Sequence, residues 1–542
     1  MAMMCDVVAR FKRYDENGDG TIDKRKLFEV MRLVGLSEAE CDNLCTQADL
    51  DKDSVIKYEK FVAWIFSHAQ ASSEVMVLCG PVIGTVTEST ANVMLEVDEF
   101  VFMTCTATPV GGGTPICATC AMQQGVPRVF QLKDLAPATT YVVSFSPLAK
   151  PQQKELEQRG CKIRTMHASD NLKRLKVVAL SCNWPDRLGK GNENPWDRLA
   201  TKAKAGECDV MLHLGDQVYT WANGVTTAAT RVMDLIESNQ DIPASLKQKM
   251  ERRATHRLQE AYRSTWYHDS TATTLSHSSH LMIWSDNDVT NDFTVARKPD
   301  GSQEFLPEYL KVAMGVYRMY QRQLWDPDSV EHSKCQFNDM PEMKEWHFHQ
   351  YGPFGIFLID MRGNRINGSG HIRDAPILSD TQRKAITDAF AAPGLACMLL
   401  CAEIPFVGEP VDEIQEKAKK LIFLKDHWPY SAAELIWICD LCFEWKSAKK
   451  GREVVLIGGD IHVSVESEIT NKETGASIRH ITTSPITNGV VNFWPALEGK
   501  INDRYSYTHK PILGMRTFAN LNLSFEDGSA SVGIEMVCIP AA

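Results

Sequence analysis

No apolar stretch in this 542-residue chain approaches the roughly 20 residues that span a bilayer, so no transmembrane helix is expected. Positive charge is not in surplus either: 58 Lys and Arg stand against 69 Asp and Glu, a net charge of −11. Such a surface attracts neither nucleic-acid backbones nor anionic lipid, which argues against both as partners. The opening MAMMCDVVARFKRYDENGDG lacks a basic region followed by an apolar core, so no export signal and a cytoplasmic location are expected. Fixed-period repeats and low-complexity tracts are also missing, which excludes a solenoid.

What is present is ordinary globular composition, 44% hydrophobic and 23% charged. The 16 cysteines are scattered, and in a reducing compartment they read as thiols rather than as a disulfide framework. Cys117/Cys120 and Cys439/Cys442 have zinc-like spacing but fall in different segments, so ordinary thiols are the better reading. His347-Phe348-His349 alternates as a strand would, with a surface or core role expected.

The pattern divides the chain into three segments. Residues 1–70 are helical in pattern around the acidic strings DENGDGTIDKRK and DLDKDSVIKYEK. Residues 75–165 read as short strands, with Ala91, Val93, Leu95 and Val97 on one face and turn formers between runs, which predicts a β-sandwich. From residue 170 to 542 strand-like runs alternate with helical ones, the rhythm of an α/β layered domain.

Four apolar runs in that last segment end on candidate ligands: VVAL before Cys182, MLHL before Asp216 and Tyr219, LMIW before Asp286, and VVLI before Asp460 and His462. Such runs read as central strands of a covered, mainly parallel sheet, whose ligand sites lie beyond the carboxyl ends. If the strands are neighbours, a mixed set of thiol, phenol, carboxylates and imidazole converges, as in a two-metal hydrolytic centre. Each residue alone has a plainer reading: Asp216 as a helix cap, Cys182 as a buried thiol, His462 as a satisfied core histidine. The recurrence at four strand ends carries the argument.

The segments around Cys182, HLGDQVY, SDNDVTND, LIDMRGNR and GGDIH resemble those of alkaline phosphatase D-like (PhoD-like) metallophosphatases, within the calcineurin-like and purple acid phosphatase superfamily. The resemblance covers about residues 75–540. It implies that Cys182, Tyr219 and His462 hold Fe(3+), that Asp216 bridges, and that Asp286 and Asp460 hold a divalent cation such as Ca2+. It implies a metal-bound hydroxide as nucleophile toward a small phosphate ester, with Arg362 as phosphate ligand unless it merely pairs with Asp360. Similar proteins read Trp-Asp-Asp-His-Asp/Glu where this chain reads Trp284-Ser285-Asp286-Asn287-Asp288. An amide donates a hydrogen bond but delivers no proton, so slow catalysis is expected, with His213 as a candidate substitute acid.

The two acidic strings resemble a pair of EF-hand loops. Loop one offers Asp15, Asn17, Asp19, the Thr21 carbonyl and Asp23; loop two offers Asp49, Asp51 and Asp53. Position twelve, normally a bidentate Glu, is Lys26 in one and Lys60 in the other, so weak or no Ca2+ binding is expected. Leu135 to Tyr141 resembles the corner of fibronectin type III sandwiches. The alternative to an enzyme is a catalytically impaired member of the family, acting as a binding or regulatory module through a partner helix at the EF-hand lobe.

Overall fold

The computed structural model describes residues 12, 15, 19–33, 55–58, 75–220, 243–291, 308–328, 344–365, 375–411, 413, 414, 417 and 426–541. Of the loop residues named above, Asn17, Asp49, Asp51, Asp53 and Lys60 lie outside them. Strand β1 (Thr21–Asp23) pairs antiparallel with β2 (Val55–Lys57), Ile22 facing Ile56, and so joins the two acidic loops. Asp15 accepts from the Gly20 amide (2.9 Å) and the Tyr58 hydroxyl (3.1 Å). Asp23 accepts from the Lys26 amide at 2.7 Å, capping the helix Lys24–Leu33.

Seven strands follow: β3 (Val77–Val86), β4 (Ala91–Val97), β5 (Val101–Pro109), β6 (Ile116–Met122), β7 (Arg128–Leu132), β8 (Thr140–Ser146) and β9 (Lys162–Arg164). They form two antiparallel sheets, ordered β3-β4-β7 and β6-β5-β8-β9, around one apolar core that includes Val93, Leu95, Met103, Cys105 and Val143. The Tyr141 hydroxyl accepts from the Ala136 amide at 2.7 Å and fixes the turn into β8. The opposite face of β4 is also covered, since Met94 joins the core of the following segment. Fully buried Glu96 is held there by Arg263 (3.1 Å from Nε) and by the Tyr320 hydroxyl (2.7 Å). A charge this deep stays only with such partners.

The rest of the chain builds two mixed sheets that pack face to face. The first contains β10 (Arg174–Leu180), β11 (Val210–Leu214) and β12 (Ser279–Ile283), with β21 (Met515–Glu526) and β22 (Ser529–Pro540), in the order β12-β11-β10-β21-β22. The second contains β13 (His347–Tyr351), β14 (Phe354–Leu358), β15 (Cys397–Cys401), β16 (Glu453–Gly458), β17 (Ser464–Asn471), β18 (Ser477–Thr482), β19 (Glu498–Lys500) and β20 (Tyr505–Ile512). Its order is β13-β14-β15-β16-β18-β17-β20-β19. Leu212, Leu281 and Leu521 of one sheet share a core with Ile356, Leu399 and Val455 of the other. Each such side chain contributes roughly 1.5–3 kcal/mol. The outer faces are covered by the helix Pro195–Ala205 on one side, and by Asp380–Phe390 and Ala432–Ala448 on the other.

This corrects the expectation of one mainly parallel sheet. The runs ending at Cys182, Asp216 and Asp286 are neighbouring parallel strands (β10, β11, β12), but the run ending at Asp460 is β16 of the facing sheet. The hairpin of β21 and β22 pairs antiparallel with β10, so the sheets are mixed. Among the described residues no helix is long and apolar enough to cross a membrane, and every described cysteine is free. Cys439 and Cys442 are buried in the outer helical core, and His347 stacks on Trp325 in the interior.

Burying so many imidazoles has a pH signature. Burial pushes His213, His277 and His349 down to about 4 and His480 to about 3, from an ordinary 6.5. Both ring nitrogens of fully buried His480 are without a hydrogen-bond partner. The folded state therefore binds fewer protons than the unfolded one. The stability these histidines contribute is intact above pH 6.5 and is lost as pH falls below it. Asp288 and Asp360, raised to about 7 by burial, oppose this in the same window. In urea titrations, His480→Phe is expected to lose about 2 kcal/mol less than the wild type between about pH 6.5 and 4.5. Equal losses in both proteins would refute the assignment.

Candidate metal centre and cleft

The four strand ends meet because the two sheets nearly touch there. A Cβ on Gly215 would lie 2.5 Å from that of Ser285 at the neighbouring strand end and 3.3 Å from that of Glu403 in the facing sheet. One on Gly459 would lie 2.7 Å from Ser181 Oγ and 2.9 Å from the Leu214 carbonyl across the sheets. Only glycine fits at either point. The chain then turns sharply. Cys182 (φ 58°), Asp216 (56°), Asp460 (64°) and His462 (56°) are four of the seven described non-glycine residues with positive φ. Each such residue costs of order 1–3 kcal/mol and persists only where its surroundings enforce it.

Asp216 lies at the middle of the result. Ligand atoms of Cys182, Asp216 and His462 fall within 4.8 Å of one another, and so do those of Asp216, Asp286 and Asp460. The Tyr219 hydroxyl joins the first group, 2.7 Å from Asp216 Oδ2 and 3.2 Å from His462 Nε2. Ser181 and Ser484 donate to Cys182 Sγ at 3.4 and 3.2 Å. Two adjacent ligand groups thus share one carboxylate, and the six residues singled out in the sequence come together.

The electrostatics without a cation are unfavourable. Burial, reinforced by Asp286, raises Asp216 and Asp460 well above the usual carboxylate range. Burial and then Asp216 raise the Cys182 thiol and the Tyr219 phenol. Burial lowers His462 to about 4, leaving a neutral imidazole able to ligate. Asp216 Oδ1 is buried without a hydrogen-bond partner. Bound cations would reverse the pressure on the acids. The donor sets fit: sulfur, nitrogen and phenol oxygen on one side, carboxylates on the other.

The PhoD-like phosphatase family matches residues 177–530 of this sequence. The chain belongs to that family. A PhoD structure superposes with a TM-score of 0.52 at 12% identity, covering 86% of this chain and 90% of that one, a likeness of fold. An EF-hand domain pair matches residues 6–66. Polcalcin Nic t 1 of Nicotiana tabacum is 38% identical over 52 residues, 9% of this chain and 62% of its own length. Calcium-binding protein E63-1 of Drosophila melanogaster is 38% identical over 58 residues, 10% of this chain and 30% of its own length. The chain spans less than two thirds of these two curated relatives.

In this member of the PhoD-like family the ligand groups border a cleft of about 530 Å³, also lined by Trp184, Arg187, Asn287, Arg362, Asp426 and His427. Arg362 is held by Glu403 (2.6 Å), Asp426 (3.0 Å) and Asp286 (3.7 Å). Asp360 instead accepts from the Arg362 amide, so it is not the partner of the guanidinium. Asn287 Nδ2 donates to Asp216 (3.0 Å) and Asp286 (3.2 Å). His213 does not face the cleft. Its ring lies under Trp196 and bonds Gln217 and His280, each at 2.8 Å, because residue 213 points to the helical side of β11. Its candidacy as substitute acid is therefore withdrawn. Cys117 and Cys120 sit an odd number of positions apart on β6 and so point to opposite faces.

Sequence reasoning passed over three residues. Glu403 and Asp426, which hold Arg362, follow no motif in the chain. Asp288 is the third. Its carboxylate accepts from the amides of Asp216 (3.1 Å), Gln217 (2.9 Å), Val218 (3.3 Å) and Ser285 (2.9 Å), and from Gln321 Nε2 (2.9 Å). It ties the exit of β11 to that of β12. Asp288→Ala leaves those donors unpaired and is expected to destabilise by about 3 kcal/mol or more and to weaken metal binding about 10- to 100-fold. Metal titration with thermal melts checks this; wild-type metal affinity in that variant would contradict it.

Proposed function

We propose that this chain hydrolyses small phosphate esters, monoesters or diesters, at a centre of two cations. The observation that carries the reading is the pair of ligand groups sharing Asp216 beside an arginine-lined cleft. Cys182, Tyr219 and His462 would hold Fe(3+), whose charge suits a phenolate and a thiolate. Asp286 and Asp460 would hold a divalent ion such as Ca2+, with Asp216 common to both. Bound there, the cations would offset charge on the phosphoryl group and lower the pKa of a water to give the attacking hydroxide.

The protein's own groups prepare the substrate. Arg362, kept rigid by Glu403 and Asp426, presents a guanidinium edge to phosphoryl oxygens. Asn287 orients the Asp216 and Asp286 carboxylates and donates a hydrogen bond without a proton. His427 is the imidazole outside the two ligand groups that lines the cleft. We read residues 1–70, 75–165 and 170–542 as an EF-hand pair, a fibronectin III or Ig-like sandwich and the phosphatase domain. A reducing cytoplasm suits the thiol ligand, and the negative charge suits neither nucleic acid nor membrane as partner.

Purified protein should contain iron plus a second metal by elemental analysis. Cys182→Ala and Asp216→Ala should each lower turnover of aryl phosphates about 10²-fold or more. Unchanged turnover in either removes that residue from the centre. A second reading, an impaired enzyme serving as a binding module for a partner helix, is favoured by Asn287 standing where a proton donor is expected. Asn287→His separates the two: a gain of about tenfold or more on poor leaving groups indicates a working centre lacking only its acid.

At the EF-hand pair, Asp23 already caps a helix and Lys26 places an ammonium at the closing position. Calorimetry of the full chain should find weak Ca2+ binding there or none; submicromolar affinity that survives removal of Asp286 and Asp460 would overturn this.

A further inference from the structure

The segment after β18 is tied to the Cys182 turn and ends at the cleft mouth. The Ile486 amide donates to the Ser181 carbonyl (2.9 Å), that of Asn488 to Cys182 (3.3 Å) and that of Val491 to His462 (2.7 Å). Arg516 adds Nε contacts to the Thr487 and Asn488 carbonyls, both 3.2 Å, and reaches the Arg187 carbonyl at 3.0 Å. Further on, Trp494 packs edge-on against His509, ring centroids 5.0 Å apart, and the His509 amide donates to the Leu497 carbonyl. The backbone is therefore fixed at both ends of the segment.

This fixed backbone holds apolar side chains out to solvent. Val491 is 41% exposed, Phe493 67%, Leu497 65%, and Leu513 on the adjoining turn 42%. They are four of ten exposed large hydrophobics among the described residues. A Cβ on Gly514 would lie 3.3 Å from Asn492 Oδ1, so the turn that carries Leu513 adjoins the residue between Val491 and Phe493. A rigid apolar patch at the rim of a polar cleft marks a binding surface rather than a packing fault. Val491 belongs to both, since it lines the cleft that holds Asp286, Arg362 and His462.

We infer that this rim binds the apolar part of the substrate itself, so that the ligand is a monomeric phosphate ester of an alkyl alcohol. Its phosphoryl group lies in the cleft and its chain runs over Val491 toward Phe493 and Leu497. This rests on the phosphoesterase reading and narrows its substrate class. A chain bound by the rim alone, away from the reacting bond, strengthens ground and transition states alike, lowering KM more than it raises kcat.

The test uses metal-replete full-length protein and unreactive alkylphosphonates from ethyl to octyl, measured by calorimetry. Affinity should rise about two- to fourfold per methylene that reaches the rim. The double variant Phe493→Ser/Leu497→Ser should flatten that rise, while Leu246→Ser, an exposed apolar residue elsewhere, keeps it. Equal slopes in the rim variant and wild type, a flat series in the wild type, or no phosphonate binding would each overturn the proposal. So would retention on phosphatidylcholine vesicles without any chain-length gain for the monomers. The two readings fail separately: chain-dependent binding without hydrolysis supports the rim and removes the enzyme, whereas hydrolysis without chain dependence does the reverse.

Discussion

The near-contact of two β-sheets at Gly215 and Gly459 is the constraint on which the rest depends. It brings the carboxyl ends of β11 and β12 against that of β16, and gathers ligand atoms of Asp216, Asp286 and Asp460 within 4.8 Å of one another. Like charges this close and this buried cannot all stay ionised unaided. The region holds Glu403 and Asp426 as well, against the two guanidiniums of Arg362 and Arg365. Among the described residues these five carboxylates outnumber the two guanidiniums, a difference that bound cations would close.

Around that point the chain separates holding from acting. Asp288 reaches no part of the cleft, yet it gathers the amides of both neighbouring turns and so sets where Asp216 points. Glu403 and Asp426 do the same for Arg362. Asn287 stands between these roles, with its amide directed to two ligand carboxylates. A histidine in its place would trade that support for a proton.

Much of this was legible in the order of residues, because apolar runs closed by Gly or Ser mark buried strands and the side chains just beyond them share an edge. That logic found Cys182, Asp216, Tyr219, Asp286, Asp460 and His462. It misjudged the sheet, since the partner of β10 on its other side is β21, which lies hundreds of positions away and carries no motif. It misplaced His213 because a strand's alternation fixes which face a residue takes only once the neighbours on each face are known. Glu403 and Asp426 were invisible for a related reason: their meaning comes from Arg362, which the fold brings to them.

The hairpin of β21 and β22 has one more consequence. It is what covers the open side of β10, the strand that delivers Cys182. Until it docks, the first sheet ends in an unpaired edge beside the Cys182 turn. Sheltering of that thiol is thus tied to docking of the hairpin rather than to folding of the central parallel strands.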